Sequence, residues 1–208
     1  KTMSSSKFVQ RLIVSILIIS ARFIQSFPLH RRDFISTTAA TTIMAATTVS
    51  SNDPIRWGIV GLGDVTEKKS GPPFWKCEGS ELVAAMRRTP GKAQEFAEKV
   101  PGGKCVGYED LDEFLKHPGL QAVYICTRPG THLEIGRKVA EAGKACYVEK
   151  PVGRCAAETE ELKNLFEERK LPFYTAYISR AYERTQALKK LLEDGAIGEK
   201  INKVSYSL

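Results

Sequence analysis

The chain has 208 residues, of which 42% are hydrophobic and 26% charged, and a formal net charge of +7. That length accommodates one domain, or one domain and a piece of another, and the composition excludes extensive disorder. In residues 1–52, Lys1, Lys7, Arg11, Arg22, Arg31 and Arg32 stand against Asp33 alone. Of the chain's 31 basic and 24 acidic residues this leaves 25 and 23 beyond residue 52, which argues against a nucleic-acid surface on the folded part.

Lys7 and Arg11 precede Leu12–Ile19, an apolar run too short to span a bilayer comfortably, and Ser20 and Ala21 follow it. This is the pattern of a secretory signal peptide. Residues 29–51 then carry Arg31-Arg32-Asp33-Phe34-Ile35 and an Ala/Thr-rich stretch. The arginine pair resembles a twin-arginine export signal, while the basic, Ser/Thr-rich, acid-poor composition equally resembles a plastid transit peptide. A signal peptide followed by Phe27-Pro28 and such a segment resembles the bipartite plastid leaders of algae with complex plastids. Residues 1–52 are therefore expected to be a targeting leader to the plastid, with the thylakoid lumen as destination if the arginine pair is used. Secretion or periplasmic export is the alternative, as are an uncleaved anchor and a misplaced gene start. No stable membrane insertion is expected once the leader is removed.

Beyond the leader, Ile55–Val60 predicts a buried strand that Gly61 ends, and Leu82–Met86 predicts a second. Thr89-Pro90 predicts a helix start for Ala93, Phe96, Ala97 and Val100, which recur at helical spacing. Asp110 is placed to cap a short helix bearing Leu111, Phe114 and Leu115, stopped by Pro118. Ala122–Cys126 is a further strand, Thr131 can cap a helix from His132 to Ala142, and Gly143 supplies its stop. Ala145–Val148, Ala157–Arg169 and Phe173–Tyr177 follow as strand, helix and strand. Strands alternating with helices predict an α/β fold, a Rossmann-type parallel sheet with helices on both faces. After Tyr177 the pattern changes to a helix with Ala187, Leu188, Leu191 and Leu192, then Gly195-Ala196-Ile197-Gly198 and an alternating strand from Ile201 to Leu208. The expected organisation is a leader over 1–52, a dinucleotide-binding domain over 53–176, and over 177–208 the start of an incomplete α+β domain, because a lone terminal strand has no partner.

A strand turning sharply into a helix needs glycine where the backbone bends and where a pyrophosphate approaches, and Gly61 and Gly63 meet those needs. Thr66 occupies the third position of the G-x-G-x-x-G pattern, and Gly71-Pro72-Pro73 must break the helix early. A tight turn without a ligand is the alternative. Arg87-Arg88 at the end of the second strand replaces the carboxylate that accepts hydrogen bonds from the adenosine ribose, favouring NADP over NAD. A solvated surface pair is the other reading. Thr127-Arg128-Pro129-Gly130-Thr131-His132 lies at the carboxyl edge of the sheet, where His132 can line the pocket or be an ordinary polar residue. Lys150 ends a strand on the same rim, suited to proton exchange beside a nicotinamide ring, with a surface Lys–Glu pair as the reading these residues alone favour. Glu149 can bond a ribose or hold Lys150 in place, and Pro151 is a candidate for a cis bond. The five cysteines show no C-x-x-C pair, so free thiols and no metal site are expected.

Gly61-Leu62-Gly63-Asp64-Val65, Thr127-Arg128-Pro129-Gly130-Thr131-His132, Glu149-Lys150-Pro151 and Gly195-Ala196-Ile197-Gly198 stand in an order that resembles the Gfo/Idh/MocA oxidoreductases over about residues 54–208. The resemblance implies an N-terminal Rossmann domain, a C-terminal α+β domain, and hydride transfer between NAD(P) and a hydroxyl or carbonyl carbon of a sugar, cyclitol or diol. It implies pyrophosphate binding by Gly61, Gly63 and the neighbouring backbone, with Glu149 and Lys150 facing the nicotinamide and Lys150 as the catalytic proton-transfer residue; with the reading of the residues above, the expected cofactor-binding set is Gly61, Leu62, Gly63, Asp64, Val65, Arg87, Arg88, Thr127, Pro129, His132, Glu149 and Lys150. Tyr177 and Arg180 match the region where the family's substrate pocket begins, or act as packing and hinge residues between domains. Two departures stand out: Thr66 replaces the usual small residue, and the family's Asp and His on a C-terminal-domain helix would fall beyond Leu208. The expected partner is a small polyol or sugar, with homo-oligomerisation only in a full-length form. A non-catalytic NADP(H)-binding sensor and an inactive gene fragment are the alternatives.

Overall fold

The computed structural model describes residues 53–196 together with Gly198, Lys203 and Ser205. The leader and most of the expected strand over 201–208 lie outside the described residues. The chain divides into two compact units, the first ending at Ala176 and the second starting at Tyr177.

In the first unit, six apolar runs form β1 (Ile55–Val60), β2 (Ser80–Met86), β3 (Val106–Tyr108), β4 (Ala122–Ile125), β5 (Ala145–Val148) and β6 (Phe173–Thr175). They make one parallel sheet in the order β3-β2-β1-β4-β5-β6. The chain leaves β1 toward β2 on one side and returns to β4 on the other, so the strand order reverses beside β1. In open α/β sheets that point, at the carboxyl ends of the strands, is where ligands bind.

The connections are α1 (Pro73–Lys76), α2 (Lys92–Glu98), α3 (Leu111–Leu115), α4 (His132–Glu141) and α5 (Ala156–Glu168). Period-two alternation places Trp57, Ile59, Tyr124 and Tyr147 on one face, packed by Phe74 of α1 and by Ala93, Phe96 and Ala97 of α2. Val60, Val123, Ile125 and Val148 point to the other face, against Phe114 of α3, Val139 of α4, and Leu162 and Phe166 of α5. Each fully buried aliphatic or Phe side chain contributes about 1.5–3 kcal/mol, so these two apolar layers hold the sheet. On the first face Phe74 stacks on Tyr124 at 5.0 Å, Trp57 meets Phe74 edge-on at 5.1 Å, and Tyr147 lies 5.4 Å from Tyr124. Trp57 Nε1 is buried in that stack and has no hydrogen-bond partner among the described residues.

Three local details differ from the sequence expectations. The second helix begins at Lys92 rather than at Thr89-Pro90: Lys92 N bonds Thr89 O at 3.2 Å in a turn, and Gly91, left-handed, gives its amide to Glu109 at 2.7 Å. Thr131 precedes α4 without capping it, since its hydroxyl bonds Thr127 Oγ1 and Arg128 O, both at 2.9 Å. β3 has no counterpart among the expected strands. Its three residues are held by their register with Ala84–Met86 of β2. Asp110 does cap α3, accepting from Asp112 N at 2.8 Å and Glu113 N at 3.0 Å.

The second unit contains a 3-10 turn, Ile178–Ala181, and α6 (Glu183–Glu193), on which Leu188, Leu191 and Leu192 are exposed. Among the described residues no helix is long and apolar enough to cross a membrane.

Candidate functional site

The loops after β1, β4 and β5 leave the same edge of the sheet, because all three strands are parallel and adjacent. The first is the glycine turn. Gly61 sits at φ 100°, and a Cβ there would lie 2.4 Å from Cys126 O, so only glycine lets β1 end tight against the β4 loop. Gly63 is the opposite case: among the described residues, its two chain neighbours aside, a Cβ would meet nothing within 4 Å, leaving that side of the backbone open. Leu62 turns its side chain into the core, so its contribution to the cleft is main chain. Asp64 and Val65 are exposed on the first helical turn, whose first bond is Glu67 N to Gly63 O at 2.9 Å. Amides ahead of that bond are the ones a helix start leaves free for an anion.

Thr66 is fully buried and does more than add bulk. Its hydroxyl donates to Gly61 O at 2.8 Å, tying the helix to the turn where a third glycine would merely pack closely. From Thr66 to Ser70 the backbone widens into a π turn, closed by Gly71 N to Thr66 O at 2.8 Å, and Gly71-Pro72 then ends it as expected.

Arg87 follows β2 and reaches back to the glycine turn, where its guanidinium donates to Leu62 O. Arg88 is exposed. The two arginines therefore separate: Arg87 is fixed at the rim of the turn with donors left over, and Arg88 faces solvent. The fit to a dinucleotide is thus one of shape at Gly63, of backbone donors at the helix start and of positive charge at Arg87.

On the β4 loop, Thr127 Oγ1 bonds Thr131 Oγ1, and Pro129–Thr131 forms a 3-10 turn into α4. His132 differs from the expectation that it lines the pocket. Its ring is fully buried, with Nδ1 3.0 Å from Pro151 O and Nε2 3.1 Å from Thr127 O. It ties the β4 loop to the β5 loop from beneath.

The β5 loop carries Glu149 and Lys150, and the Lys150–Pro151 peptide is cis. Lys150 is exposed and Glu149 half-buried. The Glu149 carboxylate accepts from Tyr124 Oη at 2.7 Å and from Lys150 N at 3.1 Å. Burial, with Cys126 and Glu149 adding to it, pushes the Tyr124 phenol well above its ordinary value, so it remains a donor. Tyr124 did not stand out in the sequence. A phenol in an otherwise aliphatic strand, on the alternation that also places Glu149, is the only mark it leaves there.

Tyr177 and Arg180 belong to the second unit, where the Arg180 guanidinium lies 5.5 Å from the Tyr177 ring centroid. Among the described residues no group of three or more His, Cys, Asp or Glu is arranged to hold a metal ion.

The Gfo/Idh/MocA family model, described as an oxidoreductase family with an NAD-binding Rossmann fold, matches residues 55–177. The chain belongs to this family. A Gfo/Idh/MocA relative, oxidoreductase P35 of Formosa agariphila, is 34% identical over 148 residues, 71% of this chain and 46% of its own length. The 3-ketoreductase KijD10 of Actinomadura kijaniata, solved with TDP-benzene and NADP, superposes with a TM-score of 0.61 at 25% identity, covering 70% of this chain and 45% of that one. Scyllo-inositol dehydrogenase of Lactobacillus casei, solved with NAD(H) and scyllo-inositol, superposes at 0.60 with 26% identity, covering 70% and 43%. The chain spans about half the length of the curated relatives it matches. Within the family, both NADP and NAD(H) are thus found on the same fold.

Proposed function

We propose that this protein is an NADP-dependent oxidoreductase that moves hydride between the nicotinamide and a hydroxyl- or carbonyl-bearing carbon of a sugar, cyclitol or diol. The observation that supports this most is the placement of Glu149 and Lys150 directly after β5, on the sheet edge where the glycine turn follows β1. The nicotinamide, when bound, supplies or accepts the hydride. The chain's own residues do the rest. Gly61 to Val65 present backbone to the pyrophosphate, with Gly63 leaving room for its approach. Arg87, held on Leu62 O, offers its remaining donors to a 2′-phosphate, and Arg88 adds charge from solvent. Lys150 Nζ exchanges a proton with the substrate oxygen as the hydride moves, and Glu149 orients that end of the site. Tyr177 and Arg180 are assigned to substrate recognition from their place after β6.

Titrating the chain with NADPH and NADH tests the reading. Tighter NADPH binding is expected, with Arg87→Glu reversing the order. Tighter NADH binding by the unaltered chain refutes the NADP assignment, and failure to bind either refutes the cofactor site. The substrate class is checked by following NADPH formation across a panel of sugars, inositols and diols. We assign residues 1–52 to plastid targeting on their basic, Ser/Thr-rich composition. A fluorescent protein fused after residue 52 that stays in the cytosol counts against it.

A further inference from the structure

We propose that Tyr124 is a positioning residue for the nicotinamide end of the site, acting through Glu149. This rests on the NADP-site reading above. The phenol is 1% exposed and lies in the middle of the sheet, in register with Ile59 of β1 and Tyr147 of β5. Its ring is fixed from two sides, by Phe74 at 5.0 Å and by Tyr147 at 5.4 Å. So placed, its hydroxyl has little freedom and meets Glu149 Oε1 at 2.7 Å, while Glu149 Oε2 takes the Lys150 amide at 3.1 Å. Each carboxylate oxygen then has a donor from the protein, which sets the plane of the carboxylate and the start of the Lys150-Pro151 bend together.

A buried residue that fixes a rim carboxylate is expected to matter for the part of the ligand that the carboxylate faces, and not for the adenosine half.

The experiment compares two probes, NADPH and adenosine 2′,5′-bisphosphate, on the full chain and on Tyr124→Phe, which removes the hydroxyl and keeps the ring. The expected result is an NADPH affinity lowered about fivefold to tenfold with the bisphosphate affinity unchanged, and an altered emission of bound reduced nicotinamide. Glu149→Gln should show the same selectivity, and the double variant should add little to either. Equal weakening of both probes overturns the proposal, because that is what general damage to the fold produces. Unchanged NADPH binding, or additive effects in the double variant, also overturns it. If Tyr124→Phe does not fold, Glu149→Gln alone decides by the same ratio: an unchanged ratio sinks the idea. An unaltered chain that binds neither probe defeats the cofactor reading itself, whereas one that binds both with no selective effect defeats only the role of Tyr124.

Discussion

Two glycines two residues apart are expected to fail in opposite ways when replaced by alanine. At Gly61 the backbone is at φ 100° and the new Cβ falls 2.4 Å from Cys126 O, a backbone atom that cannot swing aside. The left-handed conformation costs about 1–2 kcal/mol in a residue with a side chain, and forcing apart packed groups about 1–3 more. Gly61→Ala should therefore lose about 2–5 kcal/mol of stability, by adding those two costs. At Gly63 no atom of the described residues, its two chain neighbours aside, lies within 4 Å of the new methyl, and φ is outside the left-handed region. Gly63→Ala should leave stability within about 1 kcal/mol, with a gain if anything from the stiffer unfolded chain. The methyl would nevertheless stand in the space through which a pyrophosphate reaches the turn, so NADPH affinity should fall at least about tenfold, or 1.4 kcal/mol. Urea unfolding and NADPH titration of both variants separate the two effects. Wild-type NADPH binding by Gly63→Ala refutes the approach path, and a stability loss matching that of Gly61→Ala refutes the reading of open space.

Lys150→Ala should reduce turnover by about 10²–10⁴-fold while NADPH affinity stays within a few-fold, measured by initial rates on whichever polyol or sugar the panel selects. Unchanged turnover removes Lys150 from the chemistry. The Asp110 carboxyl is held below its usual range, first by the Glu113 amide and then by that of Asp112. Its stabilisation is complete above the ordinary Asp value of about 3.9 and is lost as pH falls through the lowered folded value. Urea midpoints should accordingly drop with acid more steeply in the unaltered chain than in Asp110→Asn, and identical slopes would count against the cap. Among the thiols, burial pushes Cys105 up to about 12 and raises Cys146 as well, whereas Cys155 is exposed. An aromatic disulfide reagent at mildly alkaline pH should label Cys155 at once, and Cys105 and Cys146 only on unfolding; early labelling of either, read by peptide mass, contradicts their burial.

How much of this was legible depended on the range of the interactions. β1 and its glycine turn were readable because an unbroken apolar run meeting Gly61 is a local signal, and the Gly71-Pro72-Pro73 break is equally local. β3 was not readable. It is three residues long, and what selects Gly107 at its centre is contact with α2, where a Cβ would lie 2.4 Å from Gln94 N. His132 shows the same limit at the site: its position at a helix start suggested a pocket, but Pro151 O, 19 residues on, decides that the ring turns inward. Thr66 was visible as a departure from the glycine pattern, yet its hydroxyl bond to Gly61 O, which explains the substitution, depends on the turn already being folded. Arg87 and Arg88 were adjacent in sequence and alike in type. Only the fold distinguishes the one bonded to Leu62 O from the one in solvent.

The buried aromatic stack around Trp57 has an optical consequence. Both tryptophans of the chain, Trp57 and Trp75, lie in the first unit, Trp57 fully buried and Trp75 packed against the same apolar layer. Their emission therefore reports melting of that unit alone. Far-ultraviolet circular dichroism also sees α6, which lies in the second. Recording both signals along one denaturation curve would measure, without a label or a substitution, whether the two units lose their structure together or in separate steps.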